Sequence, residues 1–166
     1  LEPSSGAEID GASFFFNQAR IPITPFSESS CLRVMLKECA LRSFFMGNDL
    51  FEGEKVLAFD LETTGVSTQR DRIVQFALIG TLEDGTSVNL ERIVNPQVAI
   101  PYDASKIHGL YNDDVRGEAT FSAVADELAE LIDGAILVGH NVRKFDFAML
   151  KNEFLRIGRL APQPKA

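Results

Sequence analysis

The segment "KVLAFDLE", residues 55–62, constrains this chain more than any other. It reads as a strand, yet it carries Asp60 and Glu62 inside an apolar run. Side chains alternate faces along a strand, so these two acids point the same way. Leu57, Phe59 and Leu61 point the other way, into helix packing. Burying carboxylates without compensation costs on the order of several kcal/mol, and like charges this close repel. A divalent cation resolves both costs, and the hard ions Mg²⁺ or Mn²⁺ suit all-oxygen ligands. A strand end that reaches solvent, where both acids are simply hydrated, explains the spacing equally well. The following "TTG" turns the chain away, and its small residues let backbone N–H groups approach a ligand.

A third acid bears on that choice. "AILVG", residues 135–139, is a short buried strand that delivers the chain to a helix beginning near Asp146. If this strand lies parallel to the first, both carboxyl ends share one sheet edge, where such sheets place ligands. Asp146 then faces Asp60 and Glu62. The competing reading of Asp146 is an acid in the first turn that complements the helix dipole. It is weaker in the company of the other two acids.

The remaining pattern gives a mixed α/β fold. "RIVQFALIGTL" and "TSVNLERIV" are the second and third strands, joined through the Asp-Gly hairpin signal in "EDGT". "NPQVAIPYDASKIHGLYNDDV" is a long loop with short helical turns. "TFSAVADELAELIDG" is a helix with Phe121, Val124, Leu128, Leu131 and Ile132 on one face, Thr120 before it and Gly134 after it. "KFDFAMLKNEFLRIG" is a second helix with Phe147, Leu150, Phe154 and Ile157 on one side. The order β-β-β-α-β-α predicts three antiparallel strands and an α-β-α unit in one mixed sheet flanked by helices.

A boundary near residue 52 divides a 1–50 extension from a 51–166 domain. The extension opens as an irregular tail with a Phe14–Phe16 cluster. It then reads as a helix, capped at Ser29 or Ser30 and ended at Gly47. Cys31 and Cys39 fall in that helix and suggest neither a disulfide framework nor a metal spacing, so an intracellular, reducing compartment is expected. The chain opens on Leu1, which leaves a removed N-terminal targeting segment or other loss of residues as the expectation. No apolar run approaches the roughly 18 residues of a membrane span. The net charge of −8, from 16 bases and 24 acids, argues against a surface that holds nucleic acid or anionic membrane by charge alone. It does not exclude a nucleic-acid enzyme whose cations offset its carboxylates.

"FDLETTG", "RIVQFALIG", "VNPQVAIPYDASKIHGL" and "LVGHNVRKFDFAMLKNEFLRIG" together resemble the DnaQ-like (DEDD) 3′–5′ exonucleases, over about Lys55 to Gly158. The resemblance implies a ribonuclease H-like fold. It makes Asp60, Glu62 and Asp146 catalytic, metal-binding acids of a two-metal site using Mg²⁺ or Mn²⁺. It places the backbone around Thr63 and Thr64 at the 3′-terminal nucleotide and Val66 as an apolar wedge against the last bases. Ile107, His108 and Gly109 match a substrate-lining loop, and Asn141 matches the asparagine ahead of the third acid. The implied substrate is the 3′ end of nucleic acid, single-stranded, released as nucleoside 5′-monophosphates.

The chain departs from the family pattern in two places. Asn141 and Asp146 are further apart than in many members, a spacing that resembles the repair-exonuclease branch and tilts the expectation towards DNA over RNA. The general-base histidine and a fourth acid on a later helix are also absent. Only Glu153 follows Asp146, within the same helix, and the only histidines are His108 and His140. His108 suits a solvent-facing loop or substrate contact, and His140 a core position or loop anchor. The last strand and helix of the fold are expected to be missing, leaving the helix stripes to be covered by a C-terminal segment, the extension or a protein partner. Two alternatives stand beside the enzyme: an exonuclease-like scaffold or binding module in a larger assembly, and another phosphoryl-transfer enzyme with an Asp-x-Glu strand end. Arg143 and Lys144 suit either phosphate contact or a solvated turn.

Overall fold

A computed structural model describes residue 51 and residues 53–165. The expected helix between Ser29 and Gly47, the Phe14–Phe16 cluster and both cysteines lie outside the described residues. The elements run β1 (Val56–Thr63), β2 (Ile73–Thr81), β3 (Ser87–Ile93), α1 (Tyr102–His108), α2 (Asn112–Val115), α3 (Phe121–Ile132), β4 (Ile136–Val138) and α4 (Asp146–Arg156). The predicted order is present, with the long loop holding the short helices α1 and α2.

The sheet order is β3-β2-β1-β4. β1 pairs antiparallel with β2, and β2 with β3. β4 lies parallel to β1, with Val56 opposite Ile136 and Ala58 opposite Val138. β1 is therefore central, and its face alternation is the expected one. Leu57, Phe59 and Leu61 join Phe76, Leu78 and the helices in the main core. The other face holds Ala58 and Ala77, and a separate cluster of Val74, Ile100, Leu110 and Val115 under α1 and α2. The β1–β2 register slips between Glu62 and Thr63, which leaves Val74 unmatched. Such a bulge re-aims the strand end beside it, and here that end carries the second acid.

Most of the predicted stripe residues are buried, while Leu131, Phe147 and Ile157 are half-buried. Phe121, Val124 and Leu128 of α3 and Met149, Leu150 and Phe154 of α4 pack against the sheet and each other. The Phe121 and Phe154 rings meet edge to face, centroids 5.2 Å apart. The buried stripe of α4 is also rotated from the predicted one. It runs through Asp146, Met149, Leu150, Glu153 and Phe154, while Phe147 and Ile157 are only half-buried. An apolar pattern alone misplaces it because two of its members are acids.

Lys55 holds the end of α3, its Nζ donating to the carbonyls of Glu130 and Asp133 at 3.1 and 2.9 Å. A cation there also complements the helix dipole. The segment after α4 returns along β4, where Gly134 N–H donates to the Gln163 carbonyl and Lys165 N–H to the Ala135 carbonyl. Among the described residues no helix is long and apolar enough to cross a membrane.

Phe154 is fully buried at the meeting point of α3, α4 and the sheet. Phe154→Ala is expected to cost about 3–5 kcal/mol, read as a lowered midpoint in urea denaturation. A change well below that range would mean that this core is not packed as described.

Candidate active site

β4 stops pairing with β1 at Ala58, so the β1 edge beyond it faces the turn that leads into α4. That turn passes very close to β1. A Cβ at Gly139 would lie 2.5 Å from the Phe59 carbonyl oxygen, so a side chain there would push the two segments apart. Asn141 then adopts a left-handed φ of 57°, and its carbonyl accepts the N–H groups of Lys144 and Phe145, both at 3.0 Å. Asparagine tolerates this backbone region better than most residues. The turn delivers Asp146 as the first residue of α4, only 2% exposed.

Asp60, Glu62 and Asp146 are held in one electrostatic neighbourhood. Burial raises the pKa of Glu62 to about 7, and the charges of Asp60 and then Asp146 add to the rise. Burial likewise lifts Asp146 to about 7, reinforced by Asp60 and partly offset by the backbone N–H groups of Asp146 and Leu61. Burial raises Asp60 too, opposed by the same Leu61 N–H and by the charge of His140. The Leu61 N–H thus favours the charged form of carboxylates from two separate elements. No Lys or Arg among the described residues forms an ion pair with any of the three.

Three oxygen-rich side chains with no Lys or Arg partner among the described residues, and only His140 as a nearby positive charge, are donor chemistry that suits a hard divalent ion. Among the described residues, however, no set of three or more His, Cys, Asp or Glu side chains stands in a ready-made metal-holding arrangement. The acids are close enough to disturb one another's ionisation without gathering around a single point. Mutual repulsion favours that separation.

The remaining candidates are spread around this edge. Thr63 ends β1 and donates its hydroxyl to the Gly65 carbonyl at 2.7 Å, while Thr64 is buried. Val66 is 89% exposed at the tip of the next turn. Ile107 and His108 form the last turn of α1 rather than a loop, with Ile107 exposed. His108 is half-buried, not solvent-facing, and its Nδ1 accepts the Leu110 N–H at 3.1 Å. Its Nε2 is buried without a partner, and burial holds its pKa below the usual range. Asn141, Arg143 and Lys144 are exposed. His140 is exposed as well and close to Asp60, so it is not a core histidine. Nothing in its sequence setting distinguished that position.

Glu153 is a different kind of acid. It is 1% exposed, and its Oε1 accepts Arg72 Nε at 2.7 Å, Ile73 N–H at 3.2 Å and Arg156 at 3.0 Å, while its Oε2 accepts a second Arg72 nitrogen at 3.1 Å. It bolts α4 to the start of β2. The sequence signal for this was an apolar helix stripe interrupted by an acid, with Arg72 opening the second strand.

The family model of the RNase T-type exonucleases matches residues 57–166. The chain belongs to this DnaQ-like exonuclease family. The 3′-5′ exonuclease DinG of Bacillus subtilis is 34% identical over 111 residues, covering 66% of this chain and 12% of that protein. DNA polymerase III subunit epsilon of Treponema pallidum is 32% identical over 96 residues, covering 58% of this chain and 44% of the subunit. The chain therefore spans a minor part of these exonuclease relatives. The structure of E. coli exonuclease I in complex with a dT13 oligonucleotide superposes with a TM-score of 0.56 at 24% identity, over 64% of this chain and 24% of that one. The exonuclease family member thus has the ribonuclease H-like fold.

The raised carboxyl groups fix a pH dependence. Glu62 and Asp146 titrate near 7 in the folded chain, against ordinary values of 4.5 and 3.8. Between those limits the folded state binds more protons than the unfolded state, so these groups lower stability as pH rises. In EDTA the melting temperature should fall between pH 5 and pH 8, and Asp146→Asn should reduce that fall. An unchanged pH profile in Asp146→Asn would contradict the coupling.

Proposed function

We propose that this chain carries the catalytic acids of a metal-dependent 3′–5′ exonuclease, which shortens single-stranded nucleic acid from its 3′ end and releases nucleoside 5′-monophosphates. The observation that carries the reading is the shared neighbourhood of Asp60, Glu62 and Asp146 in a chain of the exonuclease family. These acids would hold Mg²⁺ or Mn²⁺, which when bound would help to activate a water and to stabilise the departing 3′ oxygen.

The chain's own groups then divide the work. The Leu61 N–H steadies Asp60 and Asp146 against each other. The backbone of Thr63 and Thr64 meets the terminal nucleotide, and exposed Val66 and Ile107 offer apolar surface to its base. Exposed Asn141 is a polar contact for the bound end, and half-buried His108 lines its approach. No histidine of the described residues is assigned as general base, which leaves that role to a group outside them.

DNA is favoured over RNA by the Asn141–Asp146 spacing, and the match to a DNA polymerase III subunit supports the same choice. A solved neighbour is a complex of exonuclease I with SSB-Ct, which supports a protein partner for this chain too. We assign the chain to an intracellular compartment.

The test uses Mn²⁺ and 5′-labelled single-stranded DNA and RNA. Stepwise shortening from the 3′ end is expected, faster on DNA, with Mn²⁺ binding seen by calorimetry. Asp60→Asn should remove both the binding heat and the shortening. A folded wild-type chain that binds no Mn²⁺ and shortens nothing would overturn the enzyme and assign the fold to a scaffold.

A further inference from the structure

Val66 stands on a turn that strand pairing does not hold, because β1 ends at Thr63 and β2 begins at Ile73. One carboxylate organises it. Asp71 Oδ2 accepts the Ser67 N–H at 2.7 Å, and its Oδ1 accepts the Thr64 hydroxyl at 3.4 Å. That hydroxyl oxygen in turn accepts the Arg72 N–H at 2.9 Å, and the Thr64 N–H donates to the Arg72 carbonyl at 2.9 Å. The residues on either side of the Gly65–Val66 pair are therefore tied to the same side chain.

Gly65 completes the arrangement. A Cβ there would lie 2.6 Å from Asp71 Oδ2 and 2.8 Å from its Cγ, so the carboxylate occupies the room a side chain would need. The outer side of the turn is fixed separately to α4. Asn152 Nδ2 donates to the Thr68 carbonyl at 2.9 Å, and Arg156 to the Gln69 carbonyl at 2.5 Å. Within the turn the Arg70 and Asp71 N–H groups donate to the Ser67 carbonyl and the Thr63 hydroxyl to the Gly65 carbonyl, and the Asp71 carboxylate is the side chain that joins its two sides.

We propose that Asp71 is a positioning residue that holds the 63–67 turn, and with it Val66, ready to receive the 3′-terminal nucleotide. The proposal rests on the exonuclease reading above. Asp71 touches neither the reacting atoms nor the metal-binding acids. Its effect is pre-organisation, because a turn that is already ordered loses less conformational entropy when the nucleic-acid end docks.

Binding is measured by fluorescence anisotropy in Mn²⁺, with a labelled single-stranded DNA whose 3′-terminal linkage resists hydrolysis. Asp71→Ala should weaken binding about tenfold, the scale of one lost charge-assisted anchor. Its Mn²⁺ affinity should stay within about twofold of wild type, as expected for sites that do not couple. Exchange of the Ser67 amide hydrogen should accelerate. Asp71→Asn should restore most of the binding, since its carbonyl oxygen can still accept the Ser67 N–H. Gly65→Ala crowds the same carboxylate without removing it and should weaken binding likewise, which keeps the test open if Asp71→Ala does not fold. Wild-type binding by both Asp71→Ala and Gly65→Ala overturns the proposal, as does a parallel loss of Mn²⁺ affinity. A wild-type chain that binds Mn²⁺ but no oligonucleotide overturns the exonuclease reading itself, and that result appears before any substitution is made.

Discussion

Burial of neighbouring carboxylates, compounded by their repulsion, at the end of a central strand is the constraint on which the rest of the structure depends. β1 is flanked by β2 and β4 and backed by α3 and α4, so its C-terminal end is partly withdrawn from water. Asp60 and Glu62 project from the face opposite the main core, and Asp146 is brought to the same edge by a turn that only a glycine at 139 lets through. Without a cation this arrangement costs stability, which the raised carboxyl pKa values of Glu62 and Asp146 express directly. A fold that served packing alone would have little reason to keep it.

The two buried acids of α4 make the contrast within a single helix. Both lie on its inward stripe, and both are almost fully withdrawn from solvent. Glu153 is saturated by the guanidinium of Arg72, the guanidinium of Arg156 and a backbone N–H, so it joins elements together. Asp146 has backbone N–H groups as its only favourable influences, set against burial and a neighbouring negative charge. The same residue class on the same face thus does opposite jobs, and the partners decide which. One acid is neutralised by its partners, and the other is left with raised pKa and no Lys or Arg partner among the described residues.

Much of this was legible in the sequence because it follows from periodicity. The alternation in "VLAFDLE" placed the two acids on one face, and the short "AILVG" strand was readable, while its parallel pairing with β1, a condition in the sequence reading, is seen in the structure. The Asp-Gly hairpin and the face of α3 were equally readable. What escaped depended on contacts between distant segments. The stripe of α4 was misplaced because buried Glu153 is satisfied largely by Arg72 and the Ile73 N–H, far away in the chain. The edge-to-face contact of Phe121 in α3 with Phe154 in α4 was not readable from either helix alone. The β1–β2 bulge, the exposed place of His140 and the role of Asp71 depend on local three-dimensional register that no linear spacing announces.

The most direct measurement is anomalous X-ray scattering from crystals of the chain grown with Mn²⁺. The account predicts a peak within coordination distance of carboxylate oxygens from Asp60, Glu62 and Asp146 together, at about 2.0–2.3 Å. Ordered density that shows Asp146 turned from β1, with no Mn²⁺ between the three side chains, would contradict it.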